Sequence, residues 1–223
     1  MRTVGIILSG GSGSRMKASV PKQFLKLRGE SLIRHSVRSF LHSGLFSSLV
    51  IVSKAEYISK TMEELNEFLG PEDIIVSGGE TRHESVLKGL EAAVPGQEDV
   101  IVFHDAARPF VDKTELQELI QAAFHSGAST LADKIHETLV YSNEGKVDEI
   151  LNRELAYVIK TPQAMHSSLL NMLLSEELSE DPTDLCSWVR NIGVKSKIVL
   201  SSSKNIKITT PADLLLAEKL MEI

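Results

Sequence analysis

The chain has 223 residues, 42% of them hydrophobic, which is enough to bury the core of one large α/β domain. A formal charge of −6 excludes a general electrostatic attraction to nucleic acid or anionic lipid, so any anion site must be local. The single cysteine, Cys186, excludes an internal disulfide and points to a reducing cytoplasm, and the apolar start Val4 to Leu8 is too short for a signal peptide or a membrane span.

Strands are predicted at Thr3 to Ser9, Ser48 to Val52, Asp73 to Val76 and Asp99 to Phe103, all read as central. Between them, Ser31 to His42, Lys54 to Leu69 and Thr81 to Ala93 carry apolar residues at three- and four-residue spacing, as crossover helices do. This alternation predicts an α/β fold with a mainly parallel central sheet. Thr81 with Glu84 forms a predicted capping box, and Thr210, Pro211 and Asp213 mark the start of a final helix through Met221. Residues 133–155 break the pattern: Thr138 to Tyr141 and Lys146 to Leu151 read as strands around a turn at Ser142 to Gly145. Such a protruding β-hairpin has exposed edges, which packing against a second copy would cover, so it is read as a dimerisation arm. No repeat or linker divides the chain, and residues 1–223 are taken as one domain.

The first strand runs into Ser9-Gly10-Gly11-Ser12-Gly13-Ser14-Arg15-Met16, followed by Pro21-Lys22-Gln23. Glycines allow backbone N–H groups to approach a polyphosphate, and Arg15 and Lys22 add cationic charge. Met16 stands where a dinucleotide fingerprint needs a third glycine, and the Gly-Lys-Ser/Thr of a P-loop is missing. Gly78-Gly79 follows the third strand and His104-Asp105 the fourth, placing both at the carboxyl edge of the sheet, where open α/β folds bind ligands. There Gly78 and Gly79 leave room for a flat base, Arg82 and Ser85 project from the next helix, and Asp105 suits Mg²⁺ beside a triphosphate. Arg108 offers a bidentate anion donor; alternatively it pairs with Asp105 as a structural ion pair. The seven histidines lack the paired spacing of a zinc site. Thr183 to Val189, with Cys186 and Trp188, reads as a short amphipathic helix.

The glycine loop with Arg-Met and Pro-Lys-Gln resembles that of the sugar-phosphate nucleotidyltransferases. Gly78-Gly79-Glu80-Thr81-Arg82-His83-Glu84-Ser85, His104-Asp105-Ala106-Ala107-Arg108-Pro109, Thr161-Pro162-Gln163 and Asn205-Ile206-Lys207 extend the resemblance, nearly end to end, to the 2-C-methyl-D-erythritol 4-phosphate cytidylyltransferases. The resemblance implies a Rossmann-like nucleotidyltransferase domain that makes a CDP-polyol from CTP in the non-mevalonate isoprenoid pathway, with Mg²⁺ as cofactor. It implies nucleotide contacts from Ser9, Gly10, Gly11, Gly13, Gly79, Glu80, Arg82, Ser85 and Asp105, with Arg15 and Lys22 catalytic. It further implies acceptor contacts from Arg108, Thr183 and Lys207, the last placed on a short strand, and from Thr138 and Arg153 of a neighbouring subunit. Glu137, Asp133 and Leu185-Cys186 depart from the family's pattern around the acceptor, leaving ribitol 5-phosphate as the alternative, whereas Ala106-Ala107 favours methylerythritol phosphate. A non-catalytic nucleotide-binding regulator is the reading from another class; Arg15, Lys22 and Asp105 argue against it.

Overall fold

The computed structural model describes residues 1–11, 16 and 20–222. In chain order the elements are β1 (Thr3–Leu8), β2 (Lys26–Leu27), β3 (Glu30–Ser31), α1 (Leu32–Ser43), β4 (Ser48–Ser53), α2 (Ile58–Leu65), β5 (Ile74–Ser77), α3 (Arg82–Ala93) and β6 (Val100–Asp105). They continue as α4 (Lys113–Ser126), β7 (Ala128–Lys134), β8 (Leu139–Asn143), β9 (Lys146–Leu151), β10 (Tyr157–His166), α5 (Leu170–Ser175), α6 (Leu185–Asn191), β11 (Lys197–Leu200) and α7 (Pro211–Leu220). The main sheet has seven strands in the order β11-β7-β10-β6-β1-β4-β5. Only β10 runs against its neighbours, β6 and β7; the other pairings are parallel. The expected α/β fold with a mainly parallel sheet is therefore observed.

Successive residues of the inner strands face opposite layers, and both layers are apolar, so these strands read as unbroken hydrophobic runs. Ile7, Leu49, Ile51, Val100 and Val102 pack with Val37 and Phe40 of α1 and Leu116 and Leu119 of α4. Val4, Ile6, Val50, Val52, Ile101 and Phe103 face the other way, against Val86 and Leu90 of α3 and Trp188 and Val189 of α6.

Four expectations change. The third strand, β5, is an edge strand and not a central one, because no further strand pairs beyond it. The helix expected from Lys54 to Leu69 is a 3₁₀ turn at Ala55–Tyr57 followed by α2, which ends at Leu65. At the start of α3, Thr81 Oγ1 accepts from the Glu84 N–H (3.1 Å), but the Glu84 carboxylate reaches the N–H of Glu80 (2.7 Å) and not that of Thr81, so the capping box is only half formed. Lys207 lies in an irregular loop rather than a strand. At α7 the reciprocal box between Thr210 and Asp213 is complete.

The hairpin forms as β8 and β9, with a tighter turn than expected. Glu144 and Gly145 alone make it, at φ 50° and 76°, the positive values that a two-residue turn of this hand requires.

Candidate active site

Because β1, β4, β5 and β6 run in parallel, their carboxyl ends open on one edge, with β1 between strands reached by crossovers in opposite directions. That is the topological switch point at which such sheets bind ligands. A cleft of about 320 Å³ lies there. Ser9, Gly10 and Gly11 reach it from the end of β1, Lys54 from the end of β4, Gly79 and Glu80 from the end of β5, and Asp105 from the end of β6. Lys22, Gln23, Thr81, Arg82, Ser85 and Lys207 complete the polar lining. Arg15 and Gly13 lie outside the described residues.

Asp105 is held at three points, one through its backbone and two through its carboxylate. Its backbone N–H donates to Thr161 Oγ1 (3.1 Å), Lys207 Nζ lies 2.6 Å from Oδ2, and Arg82 Nη2 lies 3.4 Å from Oδ1. Burial pushes the Asp105 carboxyl up, but Lys207 and Arg82 more than offset this and hold it well below the ordinary carboxylate range. The alternative pairing of Asp105 with Arg108 does not form. A tight turn follows β6, with the Arg108 N–H donating to Asp105 O (3.0 Å). Ser36 Oγ donates to Ala106 O (2.8 Å), and the N–H of Ile208 donates to Ala107 O (2.9 Å). This last bond ties the loop carrying Lys207 to the turn carrying Asp105, which brings the two side chains together.

Arg108 is buried, and Nη1 donates to Asn205 O (3.0 Å). It is absent from the cleft wall, contrary to its expected exposure to an acceptor. Thr138 and Arg153 belong to the arm; both are exposed, and Arg153 Nη1 donates to His136 O (2.8 Å), away from the cleft. Thr183 is also exposed, with Oγ1 3.4 Å from Ser187 Oγ.

Gly78 and Gly79 have a packing reason beside the one expected. A Cβ on Gly78 would stand 2.7 Å from Ser85 Oγ, and one on Gly79 would stand 2.3 Å from Glu84 Cβ. Their bareness admits the first turn of α3. Ser85 Oγ then donates to Thr81 O (2.9 Å) and accepts from the Gly79 N–H (3.2 Å), closing strand end onto helix start. At Gly11 the added Cβ would meet Lys22 Cε at 3.2 Å, so the lysine stem rests against the glycine.

Several residues of the site were not anticipated. Lys54 brings a further cation, as the first residue past the parallel strand β4. Gln23 is buried and donates from Nε2 to Ser9 O (2.9 Å), locking the Pro-Lys-Gln segment onto the glycine loop. Buried Asn205 donates from Nδ2 to Thr161 O (3.1 Å), and Gln163 Oε1 accepts from the first N–H of α6 (3.0 Å).

A family profile described as 2-C-methyl-D-erythritol 4-phosphate cytidylyltransferase matches residues 3–223. The chain belongs to that cytidylyltransferase family. Among the family's curated members, the cytidylyltransferase of Leptospira borgpetersenii serovar Hardjo-bovis is 43% identical over 213 residues, covering 96% of this chain and 91% of its own. That of Thermotoga neapolitana is 34% identical, covering 96% and 94%. The solved 4-diphosphocytidyl-2C-methyl-D-erythritol synthase of Anaerococcus prevotii superposes with a TM-score of 0.85 at 25% identity, covering 100% of this chain and 96% of its own. The Francisella tularensis cytidylyltransferase gives 0.82 at 27%, covering 98% and 99%. As a cytidylyltransferase of this family, the chain is a CTP-dependent nucleotidyltransferase.

Proposed function

We propose that this chain transfers CMP from CTP to 2-C-methyl-D-erythritol 4-phosphate, releasing pyrophosphate, as a step of non-mevalonate isoprenoid synthesis. The observation that carries the reading is the convergence of Lys22, Asp105 and Lys207 with the Gly10-Gly11 backbone on one cleft at the carboxyl edge of the sheet. Family membership supports the acceptor.

The reaction is an in-line attack by the acceptor's phosphate oxygen on the α-phosphorus of CTP, with pyrophosphate as leaving group. No protein nucleophile is required. Two anions must meet, so catalysis is positioning and charge neutralisation. Gly10 and Gly11 present bare backbone to the triphosphate. Lys22, together with Arg15, stabilises charge around the α-phosphorus and the departing pyrophosphate. Lys207 receives the acceptor phosphate, and Arg108 adds positive potential from behind the turn. Glu80, Arg82 and Ser85 form the nucleoside end, while Thr183, and Thr138 and Arg153 from a second subunit, complete the acceptor end.

The donor chemistry fits Mg²⁺. Asp105 is ionised and on the cleft wall, and Mg²⁺ needs only one or two carboxylates when phosphate oxygens and waters fill the remaining positions. No group of three or more His, Cys, Asp or Glu side chains able to hold a metal occurs among the described residues, so Asp105 is the protein ligand in this reading. When bound, Mg²⁺ would neutralise triphosphate charge.

A homodimer through residues 133–155 is supported by exposed Tyr141, Val147 and Ile150 on the arm. A cytoplasmic location is consistent with the single cysteine, and no helix among the described residues is long and apolar enough to cross a membrane. The net negative charge supports partners that are small phosphorylated molecules rather than nucleic acid or membrane.

Pyrophosphate release from CTP with a panel of polyol phosphates tests the reading. Methylerythritol phosphate is expected to give the highest kcat/KM. A preference for D-ribitol 5-phosphate would overturn the acceptor, and no release with any acceptor would overturn the enzyme.

A further inference from the structure

The first turn of α3 touches two places at once. Arg82 and Ser85 line the nucleotide cleft, and His83 between them packs against α6. There its imidazole meets the indole of Trp188 edge-on, with ring centroids 4.9 Å apart and planes at 85°. Both rings are buried. Nε1 of Trp188 is buried without a hydrogen-bond partner, so packing and not a polar anchor sets the indole's orientation.

Behind this pair is a void of about 10 Å³, on the order of one water, between Arg82 and His83 on one side and Pro182, Asp184 and Trp188 on the other. Arg82 lines both the void and the cleft, and its Nη2 is the 3.4 Å neighbour of Asp105 Oδ1. On the far side Asp184 caps α6, accepting from the Ser187 N–H (2.8 Å), and receives Gln163 Nε2 (3.1 Å). A continuous packed path thus joins the start of α6 to the group that faces Asp105.

We propose that Trp188, acting through His83, is a positioning residue for the nucleotide half of the reaction: the edge-on pair sets the start of α3, which aims Arg82 at Asp105 and holds Ser85 on Gly79. Residues Thr183 and Asp184, at the start of the same helix, are coupled to the nucleotide site by this contact. The proposal rests on the cleft being the CTP site, as above.

Trp188 is the only tryptophan of the chain, so its emission reports on this contact without labelling. In the full chain, CTP binding is measured by equilibrium dialysis and, in parallel, by tryptophan emission. Emission is expected to change saturably over the concentration range in which dialysis shows binding. His83→Ala and Trp188→Ala are expected to raise KM for CTP about three- to tenfold, the range an aromatic pair supports, with kcat changed less than KM. Trp188→Phe, which keeps a ring edge, should return KM to within about threefold of the parent. A merely structural role would lower the melting temperature and leave KM for CTP unchanged in the folded fraction. Should Trp188→Ala fail to fold, His83→Ala carries the test; a KM for CTP within about twofold of the parent in that variant overturns the proposal, whatever the emission does. An absence of CTP binding by dialysis overturns instead the reading of the cleft.

Discussion

Lys207 Nζ lies 2.6 Å from Asp105 Oδ2, a contact between residues 102 positions apart that places a cation and a carboxylate on the same wall of the cleft. Lys207 is more than a third exposed, so the pair adds little to stability, and its importance is to function. Asp105→Asn should remove most activity, by about a hundredfold or more in kcat/KM, with a small change in melting temperature. Lys207→Ala should raise KM for the polyol phosphate well beyond that for CTP. Both are read by pyrophosphate release with each substrate varied in turn, and an Asp105→Asn enzyme at near-parental rate would contradict the assignment.

Lys22 rests against Gly11 at the cleft, with the Gly11 position open only because no Cβ stands there. Loss of a preorganised donor to developing charge costs about 2.7–4 kcal/mol. Lys22→Ala is therefore expected to lower kcat by about 10² to 10³, with a smaller change in CTP binding. Equal affinity and equal kcat in this variant would remove its proposed role.

Gly79→Ala tests the packing reading of the double glycine. The new methyl would stand 2.3 Å from Glu84 Cβ and 3.3 Å from the Glu84 backbone carbon, so the start of α3 must move. Overpacking of this kind costs about 1–3 kcal/mol, measurable by urea unfolding. KM for CTP should rise as well, since Ser85 and Arg82 are carried on the displaced turn. A fully stable variant would show that the close approach can relax cheaply.

His104 is fully buried, with Nε2 donating to Arg108 O (2.9 Å); burial pushes its pKa down to about 4, so the ring is neutral near pH 7. The unfolded chain binds a proton to this histidine near pH 6.5 and the folded chain does not until about pH 4. Its contribution is therefore complete above about pH 6.5 and declines as pH falls toward 4, amounting to roughly 2 kcal/mol of lost stability by pH 5. The lowered Asp105 carboxyl acts in the same direction at still lower pH, as it becomes protonated. Urea unfolding at pH 7.5 and pH 5 measures the difference; removing the ring with His104→Ala should flatten this part of the profile even though the variant is less stable overall.

Val140 and Ile150 sit opposite one another in the arm, 39% and 69% exposed. If a second copy covers them, Ile150→Glu should shift sedimentation from dimer to monomer and lower activity through loss of Thr138 and Arg153 at the partner's acceptor site. A variant that remains dimeric and fully active would exclude this face from the interface.

Much of the cleft was legible in the order of residues because its parts are local. A buried parallel strand leaves its mark as a short apolar run, and the residue just past it lies at the binding edge in any open α/β sheet. Ser9 to Gly11, Gly79 and Asp105 are legible this way, whereas Lys54 occupies the same kind of position with no motif around it. The direction of Arg108 is hidden from the sequence for another reason. It is set by the turn after β6, which Ser36, from α1, and Ile208, from the C-terminal loop, hold in place, and neither neighbour is visible from the motif itself.

The order of residues by itself determined the layered α/β architecture, the hairpin, the starts of α3 and α7 and the family, since periodicity, caps and contiguous motifs need no knowledge of distant partners. Tertiary structure alone decided that β5 lies at an edge, that Gly79 makes room for Glu84, and that Lys207 and Arg82, not Arg108, meet Asp105. The physical reason is that side-chain direction and charge pairing depend on which distant segment a buried turn is hydrogen-bonded to. Here the bond from Ile208 to Ala107 makes that choice.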